Sequence, residues 1–100
     1  MKITNVIRKN GNKALTKLIK KNGSCYFDYI PVGEINEALK PANLALVNED
    51  GTPLSAMFCG NHSKAEINIS FNGQLVENSY LILMWYKMDS GRYEITMYIS

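Results

Sequence analysis

His62 is the only histidine in the chain, and it stands three residues after a cysteine in Cys59-Gly60-Asn61-His62. A Cys and a His at that spacing could ligate zinc if Cys25 and a fourth ligand such as Asp28 or Glu66 folded alongside. Structural zinc sites rest on paired Cys/His dyads, however, and here there is one. A Cys–His nucleophile fares no better, because such partners meet through the fold and not through adjacency in sequence. The plainer reading is a loop histidine and two thiols that behave as small buried hydrophobes, with no metal and no cofactor. Glu34 and Glu37 lie one helical turn apart, which suits a solvated first turn better than an acid–base couple. No glycine-rich phosphate loop is present, since Gly11 and Gly23 follow asparagines as turn or cap residues. These residues do not add up to a catalytic set, and the chain is not expected to be an enzyme.

Binding chemistry has better material. The formal net charge of +2 conceals a strong asymmetry. Lys2, Arg8, Lys9, Lys13, Lys17, Lys20 and Lys21 fall in the first 27 residues, where there is no acid, while the rest of the chain has a net charge of −5. On a helix, Lys13, Lys17, Lys20 and Lys21 would lie largely opposite Leu15, Leu18 and Ile19, offering a basic face to nucleic acid or to an acidic protein. The competing reading is a solvated amphipathic helix packed on a sheet. Nucleic acid is further disfavoured because arginine is scarce, only Arg8 and Arg92, and because the acidic remainder would repel phosphate.

The second candidate surface lies in the C-terminal stretch, residues 79–99, which reads as one β-hairpin. Tyr80-Leu81-Ile82-Leu83-Met84-Trp85-Tyr86 is apolar and rich in aromatic residues, and Tyr93-Glu94-Ile95-Thr96-Met97-Tyr98-Ile99 alternates with period two. A four-residue loop, Met88-Asp89-Ser90-Gly91, sets Lys87 opposite Arg92. One face then carries Tyr80, Ile82, Met84 and Tyr86 against Tyr93, Ile95, Met97 and Ile99, and is expected to be core. The other carries Leu81, Leu83, Trp85 and Lys87 against Arg92, Glu94, Thr96 and Tyr98. Trp85 and Tyr98 resemble the aromatic anchors of protein interfaces, with Glu94 and Arg92 at the rim. The alternative is that the N-terminal helix covers that face.

The elements that would position these groups can be read in order. Residues 13–22 are expected to be helical, capped by Asn12 and ended by Gly23, whereas residues 3–9 fit helix or strand. The Asn10-Gly11 pair is a hairpin-turn signal in the strand reading. Residues 24–30 read as a strand stopped by Pro31 and Gly33, and residues 34–39 as a short helix. Residues 44–47 and 54–58 suggest two strands around the loop Glu49-Asp50-Gly51-Thr52. Residues 60–63 read as polar loop. Residues 65–71 form the cleanest half-buried strand, with Ile67, Ile69 and Phe71 inward and Glu66, Asn68 and Ser70 outward. Asn72-Gly73 turns the chain into Leu75-Val76 and the hairpin.

One hundred residues make one domain, large enough for a core without obligatory disulfides. A hydrophobic share of 46% argues against disorder. The early sequence lacks the apolar stretch of a signal peptide and no run is long enough for a membrane span, which points to a cytoplasmic protein. The expected fold is α+β: an antiparallel sheet of about five or six strands with an N-terminal basic helix and one short helix. A partly open small β-barrel is the alternative. The expected function is that of a small non-catalytic protein that occludes a partner protein, as an inhibitor or immunity protein does. The bias to Lys, Asn and Ile suits a phage or mobile-element origin. Single-stranded nucleic-acid binding by the basic segment is the alternative function.

Overall fold

The computed structural model describes residues 3–22, 25–26, 29–58 and 64–100. Ile7, Gly11, Leu15 and Leu18 are buried and recur every three or four residues, so they form one stripe along a helix. That stripe carries a single helix, α1, through Ile3–Asn22. Residues 3–9 are therefore helical, and Asn10-Gly11 does not turn the chain. Glycine and asparagine are both poor helix formers, yet the helix crosses them without a break. Tertiary contacts outweigh that local cost. A side chain at Gly11 would collide with Ile99 and come within 3.1 Å of Leu44, so the missing Cβ is what lets the helix seat against the sheet.

Short elements follow: β1 (Cys25–Tyr26), β2 (Tyr29–Ile30), α2 (Val32–Leu39) and a 3-10 turn at Lys40–Ala42. Within the strand expected over residues 24–30, residues 25–26 and 29–30 are extended but pair in different sheets, and residues 24, 27 and 28 lie outside the described residues. The remaining strands are β3 (Leu44–Val47), β4 (Met57–Phe58), β5 (Lys64–Phe71), β6 (Gln74–Lys87) and β7 (Tyr93–Ile99). The main sheet is antiparallel in the order β1-β7-β6-β5-β3, with four substantial strands and the two-residue β1 at one edge. The count of five or six strands was slightly high. The partly open barrel fits, because the four strands curl into a half-barrel. β4 pairs with β2 in a separate ribbon, so residues 54–58 do not return along β3 as a full strand. Beyond the loop itself, among the described residues Leu54 N–H to Leu46 C=O (3.2 Å) and a bridge between Val47 and Pro53 continue that hairpin.

The curl has a visible cause in β6. Asn68 stands opposite Tyr80 and Ser70 opposite Leu75, which leaves residues 76–79 facing Ile69 alone. Such an insertion bends and twists the strand, and Asn78 absorbs it with φ 63°. The bend brings β7 and β3, with β6 and β5 between them, close enough for Ile99 and Leu44 to meet the same point of α1. Ile7, Leu15 and Leu18 of α1, with Val32, Ile35 and Leu39 of α2, fill the concave side against Ile67, Ile69, Leu81, Leu83, Ile95 and Met97.

Each helix also closes one edge of the sheet with an asparagine. Ile99 lies opposite Leu81, and the next bond of the ladder runs from Ser100 N–H to Tyr80 C=O, so Ile99's own polar groups point away from β6. Asn12 meets both: its Oδ1 accepts from Ile99 N–H at 2.7 Å and its Nδ2 donates to Ile99 C=O at 3.0 Å. At the other edge, Asn36 Oδ1 accepts from Leu46 N–H at 2.7 Å. Unpaired edges invite further strands, and these amides occupy those positions.

Candidate partner-binding site

The geometry of the candidate site follows from one loop. Gly91 adopts φ 87°, its N–H bonds Met88 C=O at 2.9 Å, and Met88 N–H bonds Arg92 C=O at 2.7 Å. This is a three-residue loop, Asp89-Ser90-Gly91, whose glycine takes the left-handed position that closes a type I turn with a bulge. Lys87 therefore faces Tyr93, not Arg92, and every pair of the hairpin moves by one: Trp85 opposite Ile95, Leu83 opposite Met97, Leu81 opposite Ile99. A one-residue slip sends a strand's side chains to the other face. The core face of β6 is Leu81, Leu83 and Trp85, and the expectation that Tyr80, Ile82, Met84 and Tyr86 form it is corrected.

Trp85 is consequently 8% exposed and belongs to the core. It lies on the opposite face from Tyr98, not beside it. The outer face is a small grid. Glu66, Ile82 and Tyr98 stand in one row, Lys64, Met84 and Thr96 in the next, and Tyr86 and Glu94 in the third. Ile82 is buried, whereas Met84 is 37%, Tyr98 42% and Tyr86 67% exposed. Three large side chains thus share one open surface, with Glu66, Glu94 and Lys64 around them. Tyr98 and Glu94 keep their expected exposure; Arg92 is exposed directly after the loop, beside this grid and not within it.

A four-residue loop would turn Tyr86 and Met84 toward the core; the three-residue loop sets both on the surface. The signal was present in Asp89-Ser90-Gly91, since glycine at the third loop position marks the three-residue turn. Residues 48–52 repeat the pattern: Gly51 has φ 87°, and Asn48 N–H bonds Thr52 C=O at 2.7 Å. There Asp50 accepts from both the hydroxyl and the N–H of Thr52, which holds its carboxyl below the ordinary value.

The basic segment is where the helix expectation put it. Lys13, Lys17 and Lys20 are exposed on α1; Lys21 is in the helix, but its side chain lies outside those described. Lys13 and Lys17 do not look onto open solvent alone. They line a groove of about 680 Å³ between α1 and α2, with Ala14, Leu18, Ala38, Pro41 and Ala42 as its apolar surface and Glu34 and Glu37 as its other charges. The suggested metal or nucleophile set cannot be placed, because Asp28, Cys59 and His62 lie outside the described residues, while Glu66 is exposed on the sheet.

Among the described residues no helix is long and apolar enough to cross a membrane. No protein-family model matches the chain, and neither a curated protein nor a solved structure matches it.

Proposed function

We propose that the chain is a small, non-catalytic, cytoplasmic binding protein that occludes a surface of a partner protein, in the manner of an inhibitor or immunity protein. The observation that supports this reading is the outer face of the β6–β7 hairpin, where Met84, Tyr86 and Tyr98 are exposed together. Tyrosine and methionine are enriched at protein interfaces: tyrosine buries a large area at modest entropic cost with its hydroxyl satisfied at the edge, and methionine's flexible thioether moulds to an irregular partner surface. The anchors are Tyr86 and Tyr98 in place of Trp85, with Glu94 and Glu66 at the rim.

The test is affinity capture from the native host with the wild-type chain and with Tyr86→Ala and Tyr98→Ala. A partner retained by the wild type and lost by both folded variants is the expected result. Truncating an anchor costs about 2 kcal/mol or more, roughly thirtyfold in affinity. Capture unaffected by either substitution would remove this face from consideration. Submicromolar binding of a single-stranded oligonucleotide, abolished by replacing Lys13, Lys17, Lys20 and Lys21, would favour the nucleic-acid alternative.

A further inference from the structure

The groove between α1 and α2 is a second surface, on the helix side of the sheet and away from the tyrosines. Lys13 and Lys17 come from α1, one turn apart, and Glu34 and Glu37 from α2, again about one turn apart. Residues at i and i+3 or i+4 share a helix face, so each helix offers a pair of like charges to the groove. Among the described residues no ion pair joins these lysines to these glutamates. Here the apolar surface of Ala14, Leu18, Ala38, Pro41 and Ala42 lies in the groove with them. Small side chains at positions 14, 38 and 42 leave that surface open; a leucine at any of them would narrow it.

We propose that this groove docks an amphipathic segment of a partner protein. The occupant carries an apolar stripe onto Ala14, Leu18, Ala38 and Ala42, acidic side chains along the flank that meets Lys13 and Lys17, and basic side chains along the flank that meets Glu34 and Glu37. The charge pattern of the groove selects this occupant. A polyanion such as nucleic acid would gain at the lysines but lose at the glutamates, and a uniformly basic peptide would do the reverse. A volume of about 680 Å³ takes several side chains of such a segment. This inference does not rest on the tyrosine face, and the two can fail separately.

A random peptide library displayed on phage and selected against the full chain tests it, with the enriched sequences remade as fluorescent peptides for anisotropy. The expected consensus is an apolar stripe with acids on one flank and bases on the other. Binding should weaken by about tenfold or more in Lys13→Glu/Lys17→Glu and equally in Glu34→Lys/Glu37→Lys, because each sets like charges against each other. The variant with all four changes should recover binding of the same peptide, since a segment turned end for end presents its flanks exchanged. All four positions are exposed, so these variants keep the fold; Ala38→Trp, which obstructs the groove floor, should weaken binding without charge change in protein whose unfolding midpoint is unaltered. Absence of any enriched peptide, indifference to the charge reversals, or loss of binding only in Tyr86→Ala and Tyr98→Ala would each overturn the proposal. So would exclusive binding of an oligonucleotide through the two lysines.

Discussion

Asn12 illustrates how much one side chain can carry. In mid-helix it has no capping role, and its amide satisfies both backbone groups of Ile99. Asn12→Ala removes that pairing and orphans two partly buried groups, for an expected loss of about 2 kcal/mol in urea unfolding. Asn12→Asp adds a pH signature. The introduced carboxylate still accepts from Ile99 N–H but faces the Ile99 carbonyl, so its folded-state pKa is raised. A raised value means stability present at low pH and lost as pH rises through it. The deficit of Asn12→Asp relative to wild type should therefore shrink between pH 7 and about pH 4. A pH-independent deficit would show that the amide nitrogen is not needed there. Asp50 has the opposite sign. Its depressed pKa means that its turn contribution is present at neutral pH and lost only in acid, below about pH 4. An Asp50→Asn variant should thus differ from wild type at pH 7 and converge with it in acid; divergence that grows in acid would contradict the Thr52 bonds.

Two elements owe their positions to close fitting. In β6, neighbouring residues Trp85 and Tyr86 report the face directly. Trp85→Ala should cost about 3–5 kcal/mol as a core truncation, and Tyr86→Ala within about half a kcal/mol as a surface change. The reverse ranking would restore the four-residue loop and the opposite core face. In α1, Gly11→Ala sets about 1 kcal/mol of helix propensity against roughly 1–3 kcal/mol of overpacking against Ile99 and Leu44. Ile99 is buried and cannot swing clear, so the expected net effect is destabilising. An increase in the unfolding midpoint would mean that the helix does not seat on the sheet at that point.

At the scale of the whole molecule, charge separation decides which partners are plausible. Among the described side chains, the exposed bases of α1 are Arg8, Lys9, Lys13, Lys17 and Lys20. Lys13 and Lys17 share their groove with Glu34 and Glu37, which dilutes the positive field that a phosphate backbone would follow. Single-stranded oligonucleotides of mixed sequence should therefore bind more weakly than about 10⁻⁶ M at physiological salt. A log–log salt slope steep enough to lose three to four units on replacement of the four lysines would contradict this.

The chain by itself determined the element types wherever a pattern is local. The basic helix over residues 13–22, the short helix before Pro41, the strand ending at Phe71 and the Asn72-Gly73 turn were all legible, because periodicity and turn chemistry act within a few residues; Ser70, expected outward, is buried where the strand passes the irregularity in β6. Asn72 and Gly73 both take positive φ, as that turn requires. What lay beyond reach depended on contacts between distant segments. The helix continues through Gly11 and Asn12 only because Ile99 and Leu44 wait there, nearly ninety and about thirty residues away in sequence. Which face of β6 is buried turned on a single loop residue, since both faces of residues 80–86 are apolar enough to serve as core. Hydrophobicity sets how much surface is buried, but register sets which surface, and register is fixed by pairing across the turn. For that reason the tyrosine face and the α1–α2 groove became visible only once the strands were paired and the helices packed.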